Sequence, residues 1–187
     1  MKHPRVTMLI VSLFLLPWLA GCANAPYVSG GSLDRETAEA IIELFKRTDP
    51  SLQKLFDSAA GYAVFPTITK AAIGIGGAHG EGQVFADGKL IGLSSLTQGT
   101  IGLQLGAQAY AEVIFFHDKA TLDDFAQSEW ALSAQATAVA AAEGASSNAN
   151  YQKGVMVFTV AKGGLMFEAS VGGQRFTFTP VRKLPLY

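Results

Sequence analysis

The most chemically specific feature of this sequence is a single thiol. Cys22 closes the run Leu19-Ala20-Gly21-Cys22, with small residues where a peptidase must bind and a sulfur able to carry a diacylglycerol thioether. Lys2, His3 and Arg5 precede an almost unbroken apolar stretch from Val6 to Ala20, the charged and apolar regions of a secretory signal. That stretch is shorter than the roughly 20 residues of a comfortable membrane span. The pattern predicts a lipoprotein signal peptide over residues 1–21, cleavage before Cys22 and lipidation at that sulfur. Cys22 is the only cysteine, so no intrachain disulfide can form even in an oxidising compartment. One acyl chain binds a membrane marginally and two or more bind it stably, so the expected partner is a membrane, held through the N-terminal lipid. Ala23 rather than Asp follows the cysteine, which favours the periplasmic face of the outer membrane.

Other candidates for catalysis or metal binding are sparse. Beyond the signal the histidines are His79 and His117, with no cysteine beside them, so a zinc site would have to recruit distant carboxylates. Asp123 and Asp124 are neighbours on a predicted helix and point in different directions, which suits a solvated face better than paired acids. No Gly-x-Ser-x-Gly elbow or phosphate loop occurs, and the glycines from Gly74 to Gly82 sit at strand spacing. We therefore expect no catalytic residue, no metal and no cofactor. Removing residues 1–21 takes away Lys2 and Arg5, leaving 12 Lys+Arg against 15 Asp+Glu, a net charge of −3. That balance lacks the basic face of a nucleic-acid binder.

The elements that must position anything else follow from periodicity. With 187 residues, 49% of them hydrophobic, one domain is the default. Residues 22–32 are small and polar and read as a lipidated flexible tether. Leu33, Thr37, Ala40, Ile41, Leu44 and Phe45 recur at three- and four-residue spacing, an amphipathic helix capped by Ser32 or Asp34. Asp49-Pro50 starts a second helix that ends near Gly61. From Tyr62 the period becomes two, and Ala72, Gly74, Gly76, Ala78, Gly80 and Gly82 would make one strand face of small residues. Asp87-Gly88 signals a two-residue hairpin. Ile101, Leu103, Leu105, Ala107, Ala109, Ala111, Val113 and Phe115 share one face of a long strand that could bend at Gly102 or Gly106. A short helix over residues 118–128 is capped by Asp118. The stretch Ala131 to Ala145 fits helix by propensity and strand by alternation. Residues 155–161, 165–171 and 175–179 read as three strands of an antiparallel meander, separated by Gly163-Gly164 and Gly172-Gly173. The expected fold class is α+β: over residues 33–187, N-terminal helices packed on a curved antiparallel sheet rich in Gly and Ala.

Several of these motifs together resemble the SYLF domain. They are Phe65-Pro66 before Lys70-Ala-Ala-Ile-Gly-Ile-Gly-Gly, Gly80-Glu-Gly82, Gly102-Leu-Gln-Leu-Gly-Ala-Gln108, Lys162-Gly-Gly-Leu165, and Gly172-Gly173. The resemblance covers about residues 36 to 179. It implies that the stretch matching Ala131 to Ala142 is strand. The family includes lipid-binding domains of eukaryotic actin-associated adaptors and many bacterial lipoproteins, and the eukaryotic members are implicated in phosphoinositide binding through basic residues. On that basis Lys70 and Lys162 are candidate lipid headgroup contacts, each an ammonium point charge, with ordinary surface lysine as the alternative. Glu36, Glu39 and Glu43 make the polar face of the leading helix acidic, a departure from the eukaryotic pattern. The resemblance implies non-enzymatic binding of lipid, with anionic phospholipid headgroups as the ligand. The rival is a structural or assembly protein that docks another envelope protein. As exposed charges, Lys70 and Lys162 could be reversed together with no change in melting temperature.

Overall fold

The computed structural model describes residues 35–127, 129–132, 139–140 and 144–181. The predicted signal peptide, Cys22 and the tether lie outside the described residues. Two helices, α1 (Arg35–Thr48) and α2 (Leu52–Ser58), lead into two very long strands, β1 (Gly61–Ala86) and β2 (Lys89–Phe116). After α3 (Lys119–Phe125) come the short β3 (Glu129–Leu132) and β4 (Val139–Ala140), then a third long strand, β5 (Val155–Pro180). The sheet order is β1-β2-β5-β3, all antiparallel, with β4 pairing parallel to β5.

Local chemistry explains each junction. Ala38, Ile41, Ile42 and Phe45 form the buried stripe of α1, so its inner face is turned from the expected one: the bulky Ile42 is buried while Ala40 stays outside. Asp87 and Gly88 turn the β1–β2 hairpin with both φ positive (49° and 68°), the backbone that a right-handed strand twist demands. Asp118 caps α3, its carboxylate accepting from the Thr121 amide at 2.8 Å. Asp49 does more than start α2. Buried, it accepts from the Ser51 amide (3.0 Å) and, across 97 residues, from the Ser146 amide (2.8 Å), which fastens the helix corner to the turn at Ser146–Asn148. Burial pushes its pKa up, but the hydrogen bonds from Ser51 and Ser146 outweigh burial and hold the carboxyl at about 2.

One expectation is corrected. Residues 155–180 are a single strand paired with β2 along its whole length, and no meander is formed there. Gly164, at φ +93°, and Gly172 are points where β5 lies so close to β2 that a side chain would strike the backbone oxygens of Ala107 and Gly99. These glycine pairs accommodate a bend within a strand; they do not end one. Of the Ala131–Ala142 stretch, Ala131, Leu132, Val139 and Ala140 are strand, and the rest lies outside the described residues.

The long strands carry a core on each face. Even-numbered β2 residues Ile114 and Phe116 join Phe65, Ile68, Val157 and Phe176, closed by Leu122 and Phe125 of α3. Odd-numbered Ala111, Val113 and Phe115 join Val64, Met156 and Phe158 beneath Ile41, Ile42 and Phe45 of α1. β1 also folds back on itself: a Cβ built on Gly82 would lie 2.8 Å from the Val64 carbonyl oxygen, and one on Gly80 2.9 Å from that of Thr67. The bend is at Gly74 (φ +71°), where the β1–β2 register shifts between Ile73 and Ile75. Buried Gln104 supports it by donating from Nε2 to the Gly74 carbonyl at 3.0 Å.

Candidate functional site

Bending three paired strands gives this sheet an inner and an outer surface with inverted chemistry. On the outer surface, at the bend, the side chains are aliphatic and bare: Ile73, Ile75, Ile101, Leu103 and Leu105 are 61–83% exposed. The register pairs Ile73 with Leu105 and Ile75 with Ile101, so they form one patch across β1 and β2. It continues the face that α1 covers further along β2, and contains no charged side chain from Ala71 to Ala78 or from Gln98 to Ala111. Scattered exposed aliphatics are normal in proteins, whereas a contiguous uncharged patch marks a contact surface.

On the inner surface the same strands line a solvent-open cavity of about 250 Å³. Lys70 from β1 and Tyr110 and Glu112 from β2 form one wall, and Gln98, Gln108 and Gln174 add three carboxamides. Among the described residues, Thr159 and Ala161 of β5 also line it. The Tyr110 hydroxyl donates to Gln98 Oε1 at 3.1 Å, and Gln174 Nε2 donates to Glu112 Oε2 at 3.0 Å. These bonds cross from one limb of the bent strands to the other. Glu112 is 1% exposed, and its Oε1 has no hydrogen-bond partner among the described residues. Burial pushes its carboxyl up to about 7 against the opposing hydrogen bond from Gln174.

The structure separates the two lysines singled out by sequence. Lys70 lines the cavity and is 4% exposed, so the expectation that it behaves as a surface charge is corrected. Its reversal to Glu would add a second buried carboxyl to the wall that holds Glu112, and unchanged thermal stability is not expected. Lys162 is exposed on β5, where its Nζ donates to the Thr67 hydroxyl (2.8 Å) and the Pro66 carbonyl (3.1 Å). Glu112 and the glutamines were missed because they read as the solvent side of a half-buried strand. Their signal was present all the same: Gln104, Gln108 and Glu112 share the even-numbered face with Gly102 and Gly106, and small residues beside polar ones suit a concave surface. The histidines stand apart: His79 lies 3.3 Å from Glu81 and His117 3.4 Å from Asp118, all exposed. Among the described residues no group of three His, Cys, Asp or Glu could hold a metal ion.

A curled, small-residue sheet with leading helices defines a class, and comparison with known proteins gives the family. Residues 97–180 match the family model described as Ysc84, Las17-binding protein actin regulator. Over 139 residues, 73% of this chain, the sequence is 31% identical to Beta cell expansion factor A of Aeromonas veronii. The chain spans about half the length, 52%, of that curated relative. The protein belongs to the SYLF (Ysc84) family.

Proposed function

We propose that this SYLF-domain protein is an envelope lipoprotein, held at the periplasmic face of the outer membrane by lipid on Cys22, whose domain binds lipid without catalysing a reaction. The observation that carries the lipid reading is the bare aliphatic patch at the strand bend. Each aliphatic side chain moved from water into hydrocarbon contributes about 1.5–3 kcal/mol when fully buried. Five on one uncharged surface would hold a domain already tethered within reach of a bilayer. The patch is a surface of side chains on the face of the paired strands β1 and β2, so a hydrocarbon surface that needs no hydrogen bonds suits it. This reading moves the contact from charge to aliphatic area, because Lys70 is buried on the other face.

Residues 32–187 form a compact unit of their own, so the test uses the chain from Ala23 onward with vesicles of graded anionic content. Ile75→Asn together with Leu103→Asn is expected to weaken vesicle binding roughly tenfold or more, at little loss of stability since both side chains are exposed. Undiminished binding would remove the lipid reading and favour docking to another envelope protein. In cells, Cys22→Ser is expected to move the full chain from the membrane to the soluble fraction. Retention of that variant through a high-salt wash would refute the anchor, and release by salt alone would point to an electrostatic surface.

A further inference from the structure

A surface that enters hydrocarbon must satisfy the backbone beneath it internally, because no water is there to do so. The bend is where this is hardest, since the β1–β2 ladder breaks there. Ile73 pairs with Leu105 and the next pair is Ile75 with Ile101, so Gly102, Leu103 and Gln104 stand opposite Gly74 alone. The interruption is closed from within the protein. Gln104 Nε2 donates to the Gly74 carbonyl at 3.0 Å, and Gln104 Oε1 in turn accepts from the Thr100 hydroxyl at 2.9 Å, both side chains being buried. On its other edge β2 keeps its register with β5 through the same residues, from Ile101 opposite Val171 to Leu105 opposite Phe167. Leu103, with Ile73, Ile75, Ile101 and Leu105 around it, thus forms a tip that is aliphatic outside and hydrogen-bonded from the inner side.

We propose that this bend enters the acyl-chain region of a lipid surface as a shallow wedge, and that the surface it selects is one with loosely packed chains, whatever the charge of its headgroups. The inference rests on the lipid reading and names the kind of lipid surface that is read. Charge supplies no selectivity: Ala71 to Ala78 and Gln98 to Ala109 contain no Lys or Arg to hold an anionic headgroup. Nor do these stretches contain Trp or Tyr, whose rings settle at headgroup level. What remains is aliphatic area, which is gained only when the side chains pass the headgroups, and gaps in a loosely packed or curved surface admit them. Shape points the same way. The patch is on the outer, convex side of the bend; fluid chains close around a convex body, whereas two copies of a convex surface meet along a line and bury little of the area that a stable dimer requires.

Vesicle binding by the chain from Ala23 onward tests it, with phosphatidylcholine alone as the first probe. Small vesicles with unsaturated chains are expected to bind roughly tenfold or more tighter than large vesicles with saturated chains. Adding phosphatidylglycerol at fixed size and chain type should change binding by less than about twofold, and salt should have as little effect. Depth is read separately. Cys22 is the only cysteine, so the chain from Ala23 has none, and Leu103→Cys places a single polarity-sensitive fluorophore at the tip. Its emission is expected to shift to the blue on binding and to be quenched by bromines on the acyl chains, while the same label at Asp123→Cys on α3 stays in water. Binding that follows phosphatidylglycerol content, or that is equal on loosely and tightly packed vesicles, overturns the wedge and leaves the lipid reading in place. A bound protein whose Leu103 label remains in water does the same. Failure to bind every vesicle removes both readings. Self-association without lipid that Ile75→Asn plus Leu103→Asn dissolves overturns the wedge and assigns the patch to a second copy of the chain.

Discussion

Raising the pH from 4 to 8 is expected to destabilise the protein through Glu112, and Glu112→Gln is expected to abolish most of that loss. In the folded chain burial lifts this carboxyl to about 7, from an ordinary value of 4.5. Below pH 4.5 the group is protonated in both states and contributes nothing. Between 4.5 and 7 the unfolded chain releases the proton while the folded chain retains it, so the folded state binds more protons and its stability falls as pH rises. Above pH 7 both states are ionised and the full difference is present, about 3 kcal/mol at ~1.4 kcal/mol per pKa unit. Asp49 acts in the opposite sense and in another window: its carboxyl, held at about 2, adds stability that is lost only as pH falls below about 4. The experiment is thermal unfolding of wild type and Glu112→Gln at both pH values. At pH 8 the variant should melt roughly 6–12 °C higher, and at pH 4 the two should nearly coincide. An equal gain at both would mean that the carboxyl does not titrate as its burial requires.

That a glutamate is buried at all was hidden from the sequence by the usual reading of alternation. In β2 the odd-numbered residues from Ile101 to Phe115 are apolar and the even-numbered ones from Gln104 to Glu112 largely polar, so a half-buried strand should turn the first set inward. The structure obeys that rule only from Ala111 to Phe115, where α1 and α2 supply the cover. From Ile101 to Leu105 it is inverted, aliphatics outward and amides inward. The cause is the curl of the sheet, which depends on which strand limbs come together and is therefore a property of distant pairings. Local signals survived where local chemistry decides: the Asp87-Gly88 turn, the Asp118 cap and the small face from Ala72 to Gly82 lie where periodicity put them. Gly163-Gly164 and Gly172-Gly173 show the opposite case. A glycine pair looks the same in a hairpin and in a bend, and only the partner strand β2, paired with β5 from Gly92 to Phe116, distinguishes them.

Replacing Gly82 by Val is expected to prevent the two limbs of β1 from closing. A Cβ there would lie 2.6 Å from Phe65 Cδ1 and 2.8 Å from the Val64 carbonyl oxygen, well inside contact distance. The ring could rotate, but the carbonyl belongs to a paired strand and cannot yield alone. Gly80 is similar, with the Thr67 oxygen at 2.9 Å and Ile68 Cγ1 at 2.7 Å. At Gly76 the would-be neighbours at 2.6 Å are the Thr100 hydroxyl and the Ala72 methyl, and the methyl, bonded directly to its Cα, moves only with the backbone. Valine is therefore expected to be damaging at all three positions. Overpacking a core typically costs about 1–3 kcal/mol, and here the upper end or beyond is expected because backbone must move. Gly99 is the internal control: it lies on the outer surface, nothing approaches within 4 Å of its Cβ position, and its φ is unexceptional. Gly99→Val should stay within about 0.5 kcal/mol of wild type, as surface changes do, or gain slightly from the β-branched side chain. Urea midpoints of the four valine variants decide the matter. If Gly82→Val and Gly99→Val unfold at the same denaturant concentration, the limbs of β1 do not meet, and neither the inner cavity nor the outward turn of the aliphatic patch would stand as described.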